Sequence, residues 1–294
     1  MFELRRLRLL HELALRGTIA EVAAALSYSP STVSQQLSQL EREAGVALLE
    51  PDGRRVRLTA QGRMLAAHAA HVLELDESAR ARLRGATGAR VRIAVMPTAA
   101  EALVPRALTL LADRSPGLRV EVAEMAPEEA LFELEARAFD LVVAEQYPGH
   151  TRTLREGLRR TLLGSDPIRL VVPRADPART LADLRERVWV LEPRGTAVRT
   201  WAAQQCRAAG FEPDVRFEAT DLTAHVRLVA AGHAVAMLPD LVWTDGHGTV
   251  DLLPLPGDPV REVFAATRIA SHDGAEVAAV RSALADALAQ HVPH

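Results

Sequence analysis

Between Ser27 and Glu41 the chain reads SYSPSTVSQQLSQLE, a stretch dominated by Ser, Thr and Gln in which only Glu41 carries a formal charge. Hydroxyls and amides both donate and accept hydrogen bonds, which suits them to phosphate oxygens and to base edges in a DNA groove. At about 100° per residue, Val33, Leu37 and Leu40 share one side of a helix, with Gln36 at the margin. Ser31, Ser34, Gln35, Ser38 and Gln39 fall on the opposite side. Ser29 followed by Pro30 is a helix start, an N-cap hydroxyl ahead of a proline at the first helical position. No acidic side chain precedes Glu41, so the positive end of that helix is open to phosphate. Taken alone, the same polar face also describes a plain solvated helix.

The flanking elements decide between these readings. Leu4, Leu7, Leu10 (or Leu9), Leu13 and Ala14 recur at helical spacing until Gly17. Thr18 and Glu21 have the spacing of a capping box, opening a short helix with small side chains (Val22, Ala23, Ala25, Leu26). After the Ser- and Gln-rich helix comes EPDGRRVRLT, a turn signal followed by alternation of Arg54, Val56 and Leu58 with Arg55, Arg57 and Thr59. That pattern predicts a small hairpin with Arg54 and Arg55 near its tip, in reach of a DNA backbone or narrow minor groove. Two capped helices followed by a basic hairpin make a winged helix-turn-helix. Thr59 then caps a long helix from about Ala60. Its Leu65, Val72 and Ala79 repeat at seven, with His68, Leu75 and Arg82 (or Leu83) between, an imperfect seam for pairing with a second copy or for packing on its own domain. The glycines of RGATGAR, residues 84–90, mark a boundary.

The rest of the 294 residues alternate strand and helix patterns. VRIAVM, LRVEVAEM and DLVVAEQ read as strands, with helices over EALVPRALTLLADRSPG and PEEALFELEARAF between them. IRLVVP, RVWVLEP, DVRFEA, AVAMLP and VFAATRI continue the series, with helices over 198–209, 222–231 and 275–290. Such alternation implies parallel βαβ units with binding sites at strand C-termini. Charge is uneven along the chain: residues 1–63 carry nine Arg against seven carboxylates, and residues from 91 onward carry 22 Arg against 28. A basic head on an acidic body suits a polyanion-binding module joined to another function.

Three segments carry a family resemblance: GTIAEVAAALSYSPSTVSQQLSQLEREAGVALLEPDGRRVRLTAQG, then DLVV after a strand-helix-strand, and LVAAGHAVAMLP in the second half. The chain resembles a LysR-type transcriptional regulator along essentially its full length. The resemblance implies an α/β protein with a winged helix-turn-helix over 1–59, a linker and dimerisation helix over 60–88, and an effector-binding domain over 89–294. That last domain is expected to have two lobes, like a type 2 periplasmic binding protein, with lobe I at about 91–163 and 267–294 and lobe II at about 164–266. The implied partners are an inverted-repeat promoter site in double-stranded DNA, a second copy through the linker helix, a tetramer of such dimers, and RNA polymerase. Leu49 and Pro51 depart from the family's frequent Phe and Arg, and Arg54 and Arg55 are placed to cover the missing basic contact.

The expected DNA-contacting residues are Ser29, Ser31, Thr32, Ser34, Gln35 and Gln39 on the helix, with Arg54 and Arg55 on the wing. Gln35 and Gln39 are the candidates for bidentate pairing with adenine. An effector, expected to be a small anionic metabolite between the lobes, would be held by Thr98, Gln146, Arg194, Gly195, Thr196, Thr220 and Pro239. Thr98 matches the family position at a helix start, where a hydroxyl and free N–H groups can hold a carboxylate. Arg194 reads equally as an anion clamp or a surface charge. No catalytic, metal or cofactor site is expected: GxSxG, GxGxxG, P-loop and HExxH patterns are absent from the sequence. His68 and His71 read as seam or surface residues. Asp221 and His225 read as a helix N-cap and a solvated face, and Cys206 as a small helix residue. A single cysteine, the lack of an uninterrupted apolar leader and the lack of a long apolar segment point to the cytoplasm.

Overall fold

A computed structural model describes residues 2–53, 55–83, 90–150, 157–244, 246 and 248–291. The chain divides into two compact units, residues 1–86 and 87–294.

In the first unit, α1 (Leu4–Arg16) ends at Gly17, whose φ of 83° lies in the left-handed region that glycine adopts without strain. Helix α2 (Ile19–Leu26) follows, then α3 (Pro30–Ala44), and Val33, Leu37 and Leu40 are the buried residues of α3. They pack with Leu7, Leu10, Leu13, Val22 and Leu48 in one core. Thr18 caps α2 by accepting from the Glu21 N–H at 3.2 Å, but the Glu21 carboxylate takes the Thr18 hydroxyl proton at 2.8 Å. The wing is the antiparallel pair β1 (Leu49–Asp52) and β2 (Arg55–Leu58). Thr59 closes its base, donating to the Ala47 carbonyl and accepting from the Gly62 N–H, where α4 (Ala60–Leu83) begins. A Cβ on Gly62 would stand 2.1 Å from the Leu48 carbonyl oxygen, so only glycine lets α4 start this close to the wing.

Helix α4 packs on α1 and its own domain through Ala66, Ala69 and Leu73, with Leu65 and Val72 partly covered by the same core. The exposed residues of α4 include Met64, His68, His71, Leu75 and Ala79, with Gln61, Arg63 and Ala67. Of the expected seam, His68, Leu75 and Ala79 are exposed, while Leu65 and Val72 are partly covered by the domain's own core. The short side chains at 62, 66 and 69 suit close approach to α1 and turn the larger ones outward. The side chain of Arg82 and residues 84–89, with the expected boundary glycines, lie outside the described residues.

The second unit begins with β3 (Arg90–Val95), α5 (Pro97–Ala102) and α6 (Val104–Arg114), which form in place of one long helix. Pro105 has no N–H to donate, and the chain restarts its helix at Leu103. Next come β4 (Arg119–Glu124), α7 (Pro127–Glu135), β5 (Leu141–Gln146), and β6 (Leu158–Pro173), a single strand of 16 residues. Then follow β7 (Val188–Leu191), α8 (Ala197–Ala208), β8 (Asp214–Glu218), α9 (Leu222–Ala230), β9 (Ala236–Pro239), β10 (Val250–Leu253), β11 (Val260–Arg268) and α10 (Ala275–Ala289). β10 and the first half of β6 carry no clean apolar alternation and are found only in the structure.

The main sheet runs β10-β6-β11-β5-β3-β4, with β9 also on β6. β3 pairs in parallel with β4 and β5, while β11 is antiparallel to both β5 and β6. Side chains alternate strictly: Val91, Ile93, Val95, Leu141, Val143, Val263 and Ala265 enter one core with α6 and α10, and Ala94, Val142, Ala144, Phe264 and Ala266 enter the other with α7. The far half of β6, with β7, α8, β9 and β10, builds two further cores around Trp189, Trp201 and Val229. Two lobes thus share β6. Residues 262–267 pair with β5 of the first lobe, so the chain has returned there by about residue 262 rather than 267.

Candidate functional site

On α3 the Ser29 hydroxyl accepts from the Thr32 N–H at 3.1 Å and lies 2.8 Å from the hydroxyls of Ser31 and Thr32. These three residues form one hydroxyl cluster at the helix N-terminus, beside open backbone N–H groups. Ser34 and Gln35 are exposed, and their side chains make no hydrogen bond among the described residues. Gln39 is half-buried and its carbonyl oxygen accepts from Arg42 Nε at 3.1 Å, so its amide is already engaged. Gln35 is the amide with both ends open.

The helix is set in place by partners outside the recognition face. Arg6 of α1 donates to Gln36 at 3.0 Å and pairs with Glu43. Glu41 accepts from the Leu48 and Leu49 N–H groups at 2.9 and 3.0 Å, tying α3 to the wing. Sequence reasoning saw Glu41 only as the end of an uncharged stretch; its contacts lie seven and eight residues onward in a loop with no periodic signal. On the wing, Arg57 pairs with Glu50 at 2.9 Å, while Arg55 is exposed without an ion pair among the described residues. Arg54 lies outside the described residues.

In the second unit the expected effector residues separate. Thr98 is buried, and its hydroxyl accepts from Arg261 at 2.7 Å, so the group expected to hold a ligand carboxylate already has a partner from the chain itself. Helix α5 has only six residues. Arg261 stands opposite Asp166 across β11 and β6, and the two pair at 2.8 Å; Asp166 also accepts from the Leu241 N–H at 3.1 Å. Burial pushes the Asp166 carboxyl up, with Arg261 and the Leu241 N–H pulling against it. Gln146 accepts from Arg160. Arg194 is 87% exposed and stands 3.7 Å from Glu218 at the surface. Gly195 makes the turn before α8, Thr196 caps α8 by accepting from the Arg199 N–H, and Thr220 is exposed ahead of α9. Of the seven, only Pro239 lines the cavity described next.

That cavity, a small cleft with about 10 Å³ of enclosed space, is lined by Tyr147 at the end of β5 and by Leu191, Glu192, Val198, Arg199, Ala202, Leu222, His225, Met237 and Pro239. Burial, then Glu145 and Glu128, raise the Glu192 carboxyl to about 7, while Arg261 opposes them. Arg199 turns away, donating to the Glu192 carbonyl at 3.0 Å and to Glu218 at 3.2 Å. His225 is buried, not solvated, because α9 lays it against the Ala219 carbonyl at 2.8 Å; Asp221 caps that helix as expected. Burial holds the His225 imidazole below its ordinary pKa, so the neutral ring donates from Nε2 and keeps a bare lone pair on Nδ1. Burial also raises the Tyr147 phenol, which stays protonated. On α5, desolvation raises the Glu101 carboxyl, with Asp221 and Glu124 adding to the shift. Sequence reasoning missed Tyr147 and His225 because their burial comes from segments far apart in the chain. Cys206 is buried in α8, with its thiol pushed up to about 12 by burial, and is chemically quiet. Among the described residues no group of three or more His, Cys, Asp or Glu could hold a metal, and no helix is long and apolar enough to cross a membrane.

Residues 4–63 match the model of bacterial regulatory helix-turn-helix proteins of the LysR family, and residues 84–289 match the LysR substrate binding domain. The chain belongs to the LysR family. It is a DNA-binding transcriptional regulator with an effector-binding domain, and not an enzyme. Among LysR relatives it is 28% identical over 255 residues to the transcriptional dual regulator GltC of Bacillus subtilis, covering 83% of this chain and 82% of that protein. It is 32% identical over 229 residues to a probable hydrogen peroxide-inducible genes activator of Mycobacterium avium, covering 74% and 71%. A single-residue variant of full-length OxyR from Pseudomonas aeruginosa has the same fold, with a TM-score of 0.68 at 21% identity over 99% of both chains.

Proposed function

We propose that this LysR regulator recognises an inverted-repeat promoter site through α3, with Gln35 reading a base edge, the Ser29–Ser31–Thr32 cluster and Ser34 contacting phosphate, and Arg55 of the wing, with Arg54, on the adjacent backbone. The observation that carries this reading is the exposed, unengaged polar face of α3 beside a capped N-terminus. The exposed row Met64, His68, His71 and Leu75 on α4 has the spacing of a pairing seam, which supports a homodimer and, from it, a homotetramer. A two-fold dimer would place two copies of α3 on the two halves of an inverted repeat. The regulator acts in the cytoplasm, with RNA polymerase as a further partner at the promoter.

In the same proposal, a small organic effector occupies the second-lobe cavity and changes how the dimer holds its site. A redox reading through a thiol has little support, since the one cysteine is buried with its thiolate disfavoured. Footprinting the purified protein on the DNA upstream of its own gene tests the DNA-binding proposal. A protected two-fold site is expected, and protection no different from that of random DNA would overturn it.

A further inference from the structure

Nine arginines fall in residues 1–63, and all but Arg54 lie among the described residues. Most are spent on the domain itself. Arg6 pairs with Glu3 and Glu43, Arg16 with Glu12, and Arg57 with Glu50. Arg42 donates to the Gln39 carbonyl oxygen at 3.1 Å, and Arg63 to the Leu58 carbonyl at 2.8 Å. Arg5, Arg8 and Arg55 are exposed with no carboxylate partner among the described residues. Of these three, Arg5 is the one held in place: its guanidinium carbon stands 4.7 Å from the centroid of the Tyr28 ring.

Tyr28 is itself a large ring left at the surface, 36% exposed, one residue ahead of the Ser29 cap of α3. The turn between α2 and α3 fixes its backbone. Ser27 has a φ of 56°, a left-handed conformation uncommon for a residue with a side chain, and the Tyr28 N–H donates to the Ala23 carbonyl at 2.9 Å. A ring face draws a guanidinium by its quadrupole and leaves the N–H donors unspent.

We propose that Arg5, positioned by Tyr28, holds a backbone phosphate of the DNA half-site at the start of α3. A guanidinium matches phosphate geometry bidentately. Tyr28 leads directly into the Ser29–Ser31–Thr32 hydroxyl cluster, so the cation extends an edge already suited to phosphate. A long side chain already ordered on a ring loses less freedom when it binds. Phosphate carries no sequence, so the contact sets register and adds affinity for every site. The inference rests on the reading of α3 as the DNA face.

Binding isotherms of the full-length protein at several salt concentrations, on its upstream site and on a random duplex, test it. Arg5→Gln is expected to weaken both about tenfold. It should also cut the slope of log affinity against log salt by about 0.9. Arg5→Lys keeps the charge and should keep the slope while losing part of the affinity. Tyr28→Leu changes no charge and should weaken both duplexes about two- to fivefold, the worth of an exposed cation–π contact. All three variants should melt close to wild type, as exposed substitutions do. An unchanged slope in Arg5→Gln, a loss confined to the upstream site, or wild-type affinity in Tyr28→Leu would overturn the proposal. If Arg55→Ala lowers the slope and Arg5→Gln does not, Arg5 falls and the α3 reading stands. Wild-type protein that binds both duplexes alike, with Gln35→Ala making no difference, would remove the α3 reading and the Arg5 contact with it.

Discussion

The surface proposed to meet DNA is drawn mainly from the 15 residues of α3, whereas the cavity proposed for the effector takes its lining from five separate segments between Tyr147 and Pro239. The first is a local structure: one helix sets the direction of every contact, and its buried face and caps suffice to orient it. The second exists only after two lobes and four cores have formed. A locally built site tolerates trouble elsewhere in the chain. A site assembled from distant segments inherits the stability of the framework that gathers them.

The largest test of that contrast is Asp166→Asn, which leaves the Arg261 guanidinium buried without its counter-charge. A loss of about 3–5 kcal/mol from the second unit is expected in urea denaturation. Replacing both partners with apolar residues of similar volume should recover most of it. If Asp166→Asn costs less than about 1 kcal/mol, an exposed-pair value, the two regions do not differ in the way described.

Next in size is Gln35→Ala, expected to weaken binding to the cognate site by about 1–3 kcal/mol with little change on random DNA. Equal losses on both sequences would remove the base-reading role and reduce α3 to a phosphate contact.

A smaller effect comes from Glu192, whose carboxyl titrates near 7 in the folded chain against an ordinary value of 4.5. The folded state therefore holds its proton more tightly than the unfolded state. The resulting stabilisation is complete below about 4.5 and is lost as pH rises through about 7. Glu145, Glu128 and Arg261 act on this group electrostatically, and Arg199, Tyr147 and His225 line the same cavity. Because other groups titrate too, the informative quantity is the difference between wild type and Glu192→Gln. Wild type should gain melting temperature on going from pH 8 to pH 6 relative to the variant, and parallel profiles would contradict the burial of this charge.

Arg55→Ala should have the smallest effect. It is expected to weaken all DNA sequences alike and to reduce the slope of log affinity against log salt by about one. A sequence-dependent loss would instead place Arg55 on base edges.

The same contrast explains what could be read before folding. Val33, Leu37 and Leu40, the Ser29 cap and the Arg-rich hairpin follow from neighbours within about a dozen residues, where helical and strand periodicities operate. Arg194 and Thr98 looked like ligand residues because arginine and a helix-start threonine suit anions. Arg194 turned out to face solvent, and Thr98 had been claimed by Arg261, 163 residues onward. No periodicity reports a partner at that distance. His225 failed for the same reason, since its helical position was legible but the cores that bury it were not. The single fold of 91–163 into strands and helices was visible, yet the first half of β6 was hidden by its Arg-rich, half-exposed sequence.

β6 has one more consequence. It runs unbroken through both lobes, pairs with β11 from Leu158 to Pro167, and carries an extra residue, Leu163, where the register shifts opposite Val263 and Phe264. Stretching such a ladder breaks its hydrogen bonds, but a bulged ribbon can wind and unwind about its own axis. By that geometry the joint between the lobes is softer to twist than to stretch, and the buried Arg261–Asp166 pair sits on it, between β11 and β6.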